Sequence, residues 1–229
     1  MTWKNPIRPA LFDFLRELKD NNNRDWFQAN KKRYEDDVKA PALQLISDFG
    51  PRLETVSRHV DAIPKAVGGS FFRIYRDVRF SKNKSPYKTH AGIHFRHKQA
   101  KDVHAPGFYL HLEPGQVFFG AGIWHPDSAT LKQIRGAIVE RSAAWKKAAS
   151  HYGEDSGFQF EGDSLKRPPR GFDGDHPLIE DIKRKDFIAV TRFTERQATQ
   201  STLLDRLTEL CSQGAPLMSF LCRAVDVPF

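Results

Sequence analysis

Cysteine is scarce in this chain: 229 residues contain two, Cys211 and Cys222. Both lie in apolar, helix-patterned sequence, which excludes a disulfide framework or a cysteine metal knuckle and leaves buried, reduced thiols. Long apolar runs are missing too. Nowhere do about eighteen apolar residues follow one another, as a membrane-crossing helix needs. The opening MTWKNPIRPALFDFLREL carries charge where a secretion signal would need an apolar stretch. The expected location is the cytoplasm, with no membrane partner. Walker A and G-x-G-x-x-G patterns are absent, so the common nucleotide folds have no foothold. The acidic residues also miss the spacing of a calcium-binding EF-hand.

What is present is positive charge in one place. The formal net charge is +8, and residues 73–101 carry all of it: Arg73, Arg76, Arg79, Lys82, Lys84, Lys88, Arg96, Lys98 and Lys101 stand against Asp77 alone. An excess confined to one stretch builds a local positive potential that attracts phosphates or carboxylates. The expected partner is therefore an anion.

The hydrophobic period divides the chain. Apolar residues recur at helical spacing after Pro9 and again after Pro41, and Asn23 or Asp25 starts a helix between them; Gly50-Pro51 is expected to break the third. The period then falls to 2, and strands are expected over residues 71–80, 91–97, 108–113 and 116–124. Glu113-Pro114-Gly115-Gln116 forms a tight turn. Asp127 or Ser128 caps one long helix to about residue 150. Beyond it, the Gly-, Asp- and Pro-rich stretch 153–177 reads as loop with a short strand near 158–161. A short helix at 178–183, a strand at 187–192 and one or two helices over 195–224 complete the chain. The expected fold class is α+β: a single domain over 1–229, with a largely antiparallel central sheet and helices packed on one side. Its parts are a helical region (about 8–60), the sheet (about 70–124), a helix (about 127–150) and a loop-rich, helical remainder (151–229).

Alternation assigns faces. On 71–80, Phe72, Ile74, Val78 and Phe80 turn to the core, and Arg73, Tyr75, Asp77 and Arg79 turn away from it. Arg76 breaks the pattern and needs an acid or backbone carbonyls to pair with. Tyr109, His111 and Glu113 share the polar face, where Gly120 and Gly122 leave room. Such a mixture suits bidentate anion capture beside an acid or base, whereas an ordinary wet sheet face favours Thr, Lys and Glu. Asp77, among arginines, is expected to stay ionised and to orient an arginine or accept a proton. Lys84, Tyr87 and Lys88 follow on a loop stiffened by Pro86, and Arg167 lies on a late loop with the makings of a lid. The candidate catalytic residues are thus Asp77 and His111, and the candidate binding residues are Arg73, Tyr75, Arg79, Lys84, Tyr87, Lys88, Glu113 and Arg167. Five of the nine histidines fall between His90 and His111. His90, His94 and His111 could meet as a three-histidine site, but no H-x-x-x-H helix or cysteine ligand supports it, and neither metal nor cofactor is assigned.

The strings FRIYRDVRFSKNKSPYKTH (72–90), GFYLHLEPG (107–115) and GIWHP (122–126) resemble the bacterial and fungal domain family of unknown function designated DUF2461. So do NNRDWF (22–27), LKRPP (165–169) and DHP (175–177). Ala121 stands where a further glycine is expected. The resemblance implies one full-length domain and transfers no substrate, cofactor or catalytic residue. Three readings follow. The leading one is an anion-binding domain, with an enzyme acting on a phosphorylated or carboxylated small molecule as one form of it and its status as an enzyme left open. A nucleic-acid-binding module is the second, because Phe71, Tyr75, Phe80, Tyr87 and Phe95 interleave the cations. The third is a protein-interaction domain without catalysis.

Overall fold

The computed structural model describes residues 3–99, 105–153 and 157–229; Lys101 and His104 lie outside them. Helices α1 (Pro9–Asp20), α2 (Arg24–Ala29) and α3 (Lys31–Arg33) lead through a π-helical stretch (Tyr34–Lys39) into α4 (Ala40–Val56). The Asn23 side chain accepts from the Trp26 N–H and caps α2, as expected from its place before an apolar stripe. Pro51 does not end α4. Leu45, Ile46, Phe49 and Leu53 are wholly buried on one side of that helix, and tertiary burial outweighs the lost backbone hydrogen bond.

The sheet contains β1 (Val60–Asp61), β2 (Ala91–His97), β3 (Gly107–Glu113), β4 (Gln116–Ile123), β5 (Gln159–Glu161) and β6 (Phe187–Phe193). Their order is β1-β2-β3-β4-β6-β5, every neighbour antiparallel. Between β4 and β5 run α5 (Ser128–Glu140) and α6 (Ser142–Ala149), so the expected single helix is two, meeting at Arg141, and Asp127 caps the first. Helix α7 (Ile179–Ile182) precedes β6, and α8 (Glu195–Ala198) and α9 (Leu203–Ala224) follow it. Among the described residues no helix is long and apolar enough to cross a membrane.

Phe95, Phe108, Leu110, Phe119, Ala121, Ile123 and Phe187 are buried without residual exposure and alternate with polar or small residues along their strands. Helix α9 lies across β4 on this apolar side, and α4 and α6 pack against α9. Both cysteines sit in α9, fully buried, and burial raises both thiols, Cys222 to about 12. They are structural residues.

The expected strand over 71–80 does not form. That segment makes two isolated bridges, Phe71 to Ile93 and Tyr75 to Tyr87. Its backbone bonds run from Phe72 N to Gly92 O, Arg76 N to Pro86 O and Lys88 N to Ile74 O. It is a loose, irregular hairpin closed on residues 86–88. Phe80, assigned to the core by alternation, is 95% exposed at its tip, and Val78 is only partly buried. Alternation measures extended backbone, and an extended chain need not enter a ladder.

Helix α9 contains Pro216, and Tyr152 answers the resulting gap. Its hydroxyl donates to Gln213 O at 3.0 Å and accepts from Leu217 N–H at 3.2 Å. It thus stands between the two groups that would otherwise form one i to i−4 bond. Tyr152→Phe leaves both unpaired in the interior, and urea unfolding should show a loss of about 1–3 kcal/mol with an unchanged slope.

Candidate functional site

Strand β3 runs between β2 and β4 and turns Leu110 and Leu112 to the apolar core, which sends Tyr109, His111 and Glu113 to the opposite face. There they join. Tyr109 Oη lies 3.0 Å from His111 Nδ1, His111 Nε2 lies 3.2 Å from Glu113 Oε2, and Thr89 Oγ1 donates to Glu113 Oε1 at 2.6 Å. Residues two apart on a strand stand side by side on one face, and here the spacing becomes a four-member hydrogen-bonded row.

The His111 ring is held from both flanks as well. Phe118 of β4 stacks on it at 4.5 Å with an 11° tilt, and His90, entering β2, lies at 4.4 Å. Gly92 makes the arrangement possible. A Cβ there would stand 2.6 Å from Tyr109 Oη, so any larger residue would displace the phenol. Gly122, expected to leave room for a ligand or a close-packed loop, meets a neighbouring strand. Its φ is +134°, and a Cβ would fall 2.0 Å from the Phe187 carbonyl, so it serves the close approach of β6.

The charges of this row follow from burial and bonding. Burial raises the Tyr109 phenol, with Glu113 adding to the effect, so Tyr109 remains a proton donor. Burial would raise Glu113 too, but the hydrogen bonds from Thr89 and His111 outweigh it and hold the carboxyl below its ordinary range. His111 is lowered by burial against the opposing pull of Glu113. His90 falls to about 4, from burial first and the neighbouring His111 second. The consistent state at neutral pH is a neutral His111 with its proton on Nε2, bonded to ionised Glu113, while Nδ1 accepts from Tyr109.

Positive charge stands beside the row. Lys88 is partly buried, its ammonium 5.2 Å from the Phe72 ring centre. Burial and then Arg73 lower its pKa, and no acid among the described residues pairs with it. Arg73 is exposed, and its charge also acts on Asp77. The segment bearing Lys88 is fixed by Asn22, whose side chain donates to Tyr87 O at 3.0 Å and accepts from Tyr87 N at 3.1 Å. Tyr87 itself is buried and stacks on Phe27 at 4.1 Å; its ring is a structural support.

The remaining sequence candidates separate from this row. Asp77 and Arg79 form an exposed ion pair of 2.7 Å, and the Arg79 bonds hold the Asp77 carboxyl down to about 2. Lys84 turns back to donate to Val78 O. Arg76 meets the Ser85 carbonyl, the kind of backbone partner its position called for. Tyr75 is 48% exposed, edge-on to Phe27. Arg167 is exposed on the late loop, which is tied at Leu165 to Lys183 O. Arg73, Tyr75, Asp77 and Arg79 are all exposed while Ile74 is buried and Arg76 and Val78 are partly buried, as alternation assigned them, but the segment carrying them is not a strand of the sheet and Asp77 pairs with Arg79 rather than with the row.

Three members of the cluster were not singled out by sequence pattern as acid–base residues: Thr89, His90 and Tyr109. Tyr109 had a signal, since it shares parity with His111 and Glu113. His90 had one as well, since strand parity let it meet His111, but as part of a three-histidine set; Thr89 had none, because its approach to β3 depends on how the preceding loop closes. A different pair also emerges at the far end of the sheet, where buried Asp186 accepts from the backbone N–H groups of His125 and Asp163 and lies 3.2 Å from the His125 ring. It clips the start of β6 to two loops.

Fold and site together define an antiparallel α+β domain with a histidine–carboxylate row on the less apolar face of its sheet. Over residues 10–220 the chain matches the family described as conserved hypothetical protein, DUF2461, and it belongs to that family. No curated protein matches the chain.

The low pKa of His90 sets a pH dependence. The unfolded chain takes up a proton near pH 6.5, the folded chain only near 4. The unfolded state therefore binds more protons between those values, and stability present above pH 6.5 is lost as pH falls toward 4. In urea melts from pH 7 to 4, His90→Gln should decline less steeply than the native chain; equal slopes would count against the assigned burial.

Proposed function

We propose that this chain binds an anionic small molecule on the face of the sheet beside β3. Arg73 and Lys88 hold its charge, and the row from Tyr109 through His111 to Glu113 exchanges a proton with it. The observation that carries this reading is Lys88: a partly buried ammonium, lowered in pKa, with no described acid to pair with. Taking a cation from water is costly unless a counter-charge meets it, and a bound phosphate or carboxylate is the counter-charge that fits. A nearby arginine adds the bidentate geometry that planar oxyanions favour.

Acid–base work falls to His111 and its neighbours, with Glu113 keeping the ring oriented and stabilising its charged form when a proton arrives. Asp77 takes a supporting role, holding the Arg79 guanidinium in an exposed ion pair. Lys84 shapes the loop through its carbonyl bonds. In this reading the chain is an enzyme acting on a phosphorylated or carboxylated substrate, and catalysis begins once the anion has displaced water from the row.

The nucleic-acid reading loses ground to burial. Phe71, Tyr87 and Phe95 are committed to the core, and base stacking would rest on Tyr75 and Phe80 at the hairpin tip. The anion reading asks for a local site instead.

Titration of inorganic phosphate, pyrophosphate and citrate by calorimetry tests it. Lys88→Ala and Arg73→Ala should each weaken the best of these at least about tenfold, matching one charge-assisted bond, while Lys82→Ala leaves it unchanged. Equal losses in all three variants would indicate diffuse attraction and overturn the proposal.

A further inference from the structure

We infer that His90, His111 and Glu113 form a binding site for a divalent transition cation of the zinc class. One ligand atom from each of these side chains lies within 4.8 Å of the other two. Two imidazoles and a carboxylate are a donor set that zinc and its first-row neighbours favour, and three protein ligands leave a coordination position open. Around a cation with bonds of about 2.0–2.1 Å, neighbouring ligand atoms lie roughly 3.3 Å apart. His111 Nε2 and Glu113 Oε2 already stand at 3.2 Å. Only His90 has to swing inward, and its ring has no hydrogen bond to break among the described residues.

The outer partners favour the same conclusion. Metal-bound histidine and carboxylate are ordinarily steadied through the atom that does not touch the metal. Here the second nitrogen of His111 meets Tyr109 Oη at 3.0 Å, and the second oxygen of Glu113 accepts from Thr89 at 2.6 Å. On metal binding the proton of His111 moves from Nε2 to Nδ1, where it is donated to Tyr109 Oη, and the freed Nε2 lone pair takes the cation. The ring stays neutral and the proton count is conserved. This set differs from the three-histidine site expected from parity. His94 faces Phe72 and Tyr109 instead, and Glu113 takes its place.

The inference shares His111 and Glu113 with the anion reading but needs neither Arg73 nor Lys88, so different variants test the two. Full-length protein freed of metal with a chelator and held in chloride buffer would be titrated with Co²⁺, following its visible absorption, and with Zn²⁺, following bound metal and melting temperature. One equivalent should bind at micromolar concentration or tighter. His90→Ala and Glu113→Gln should each weaken binding at least tenfold while keeping the native circular dichroism. His151→Ala, altering an exposed histidine outside the cluster, should bind as the native chain does. Failure of the native chain to bind at micromolar metal would overturn the inference, and so would a loss below tenfold in either ligand variant. Failure of the anion reading would show separately, as metal binding kept without any phosphate, pyrophosphate or citrate response.

Discussion

The His111 ring is the fixed point of this structure's polar side. Its two nitrogens are taken by Tyr109 and Glu113, its faces by Phe118 and His90. An imidazole in an apolar sheet would normally be a cost, because an unpaired buried polar group forfeits its bonds to water. Here each polar atom meets a partner, so the ring can be buried and still hold one tautomer. Gly92 supplies the space for the Tyr109 hydroxyl, and Thr89 turns Glu113 toward the ring. Sheet, glycine and loop all serve one geometry.

That geometry depends on an irregular segment. Residues 70–90 lie over β2 and β3 without joining the ladder, bringing Phe72 onto Tyr109 and Lys88 onto Phe72. Asn22, from the turn after α1, grips the far end of the segment at Tyr87. The amino-terminal helices thus position the site through one amide side chain and the Phe27–Tyr87 stack. Cations and histidines end up adjacent, burial suppresses the histidines' charge, and the basic segment can attract an anion without filling its own site with protons.

Much of the fold could be read from periodicity. Strands β2 and β3 alternate apolar with polar residues, β4 and β6 read as short apolar runs, and most of their residues are buried; Asn23 and Asp127 occupy the caps their neighbours imply. The family resemblance holds over residues 10–220. Two kinds of element were illegible. Val60–Asp61 is too short to show a period, and Pro51 and Pro216 sit inside helices whose packing outweighs a local rule. Residues 71–80 misled for the opposite reason, since extended chain and paired strand share a pattern and differ only in where the backbone bonds go. At the site, His111 and Glu113 were visible by parity and Lys88 by charge. Asp77 was visible too, on the outward side assigned to it, but its carboxylate is taken by Arg79. His90 was visible as a neighbour of His111, while Thr89 owes its place to loop closure, which leaves no trace in spacing.

The account rests on a neutral His111 locked between phenol and carboxylate. Nitrogen-15 spectroscopy of the histidine side chains reports tautomer and charge directly. At pH 7 and without added metal, His111 should show one neutral species protonated at Nε2, lost on Glu113→Gln. An imidazolium at pH 7, or rapid averaging between tautomers, would contradict the account.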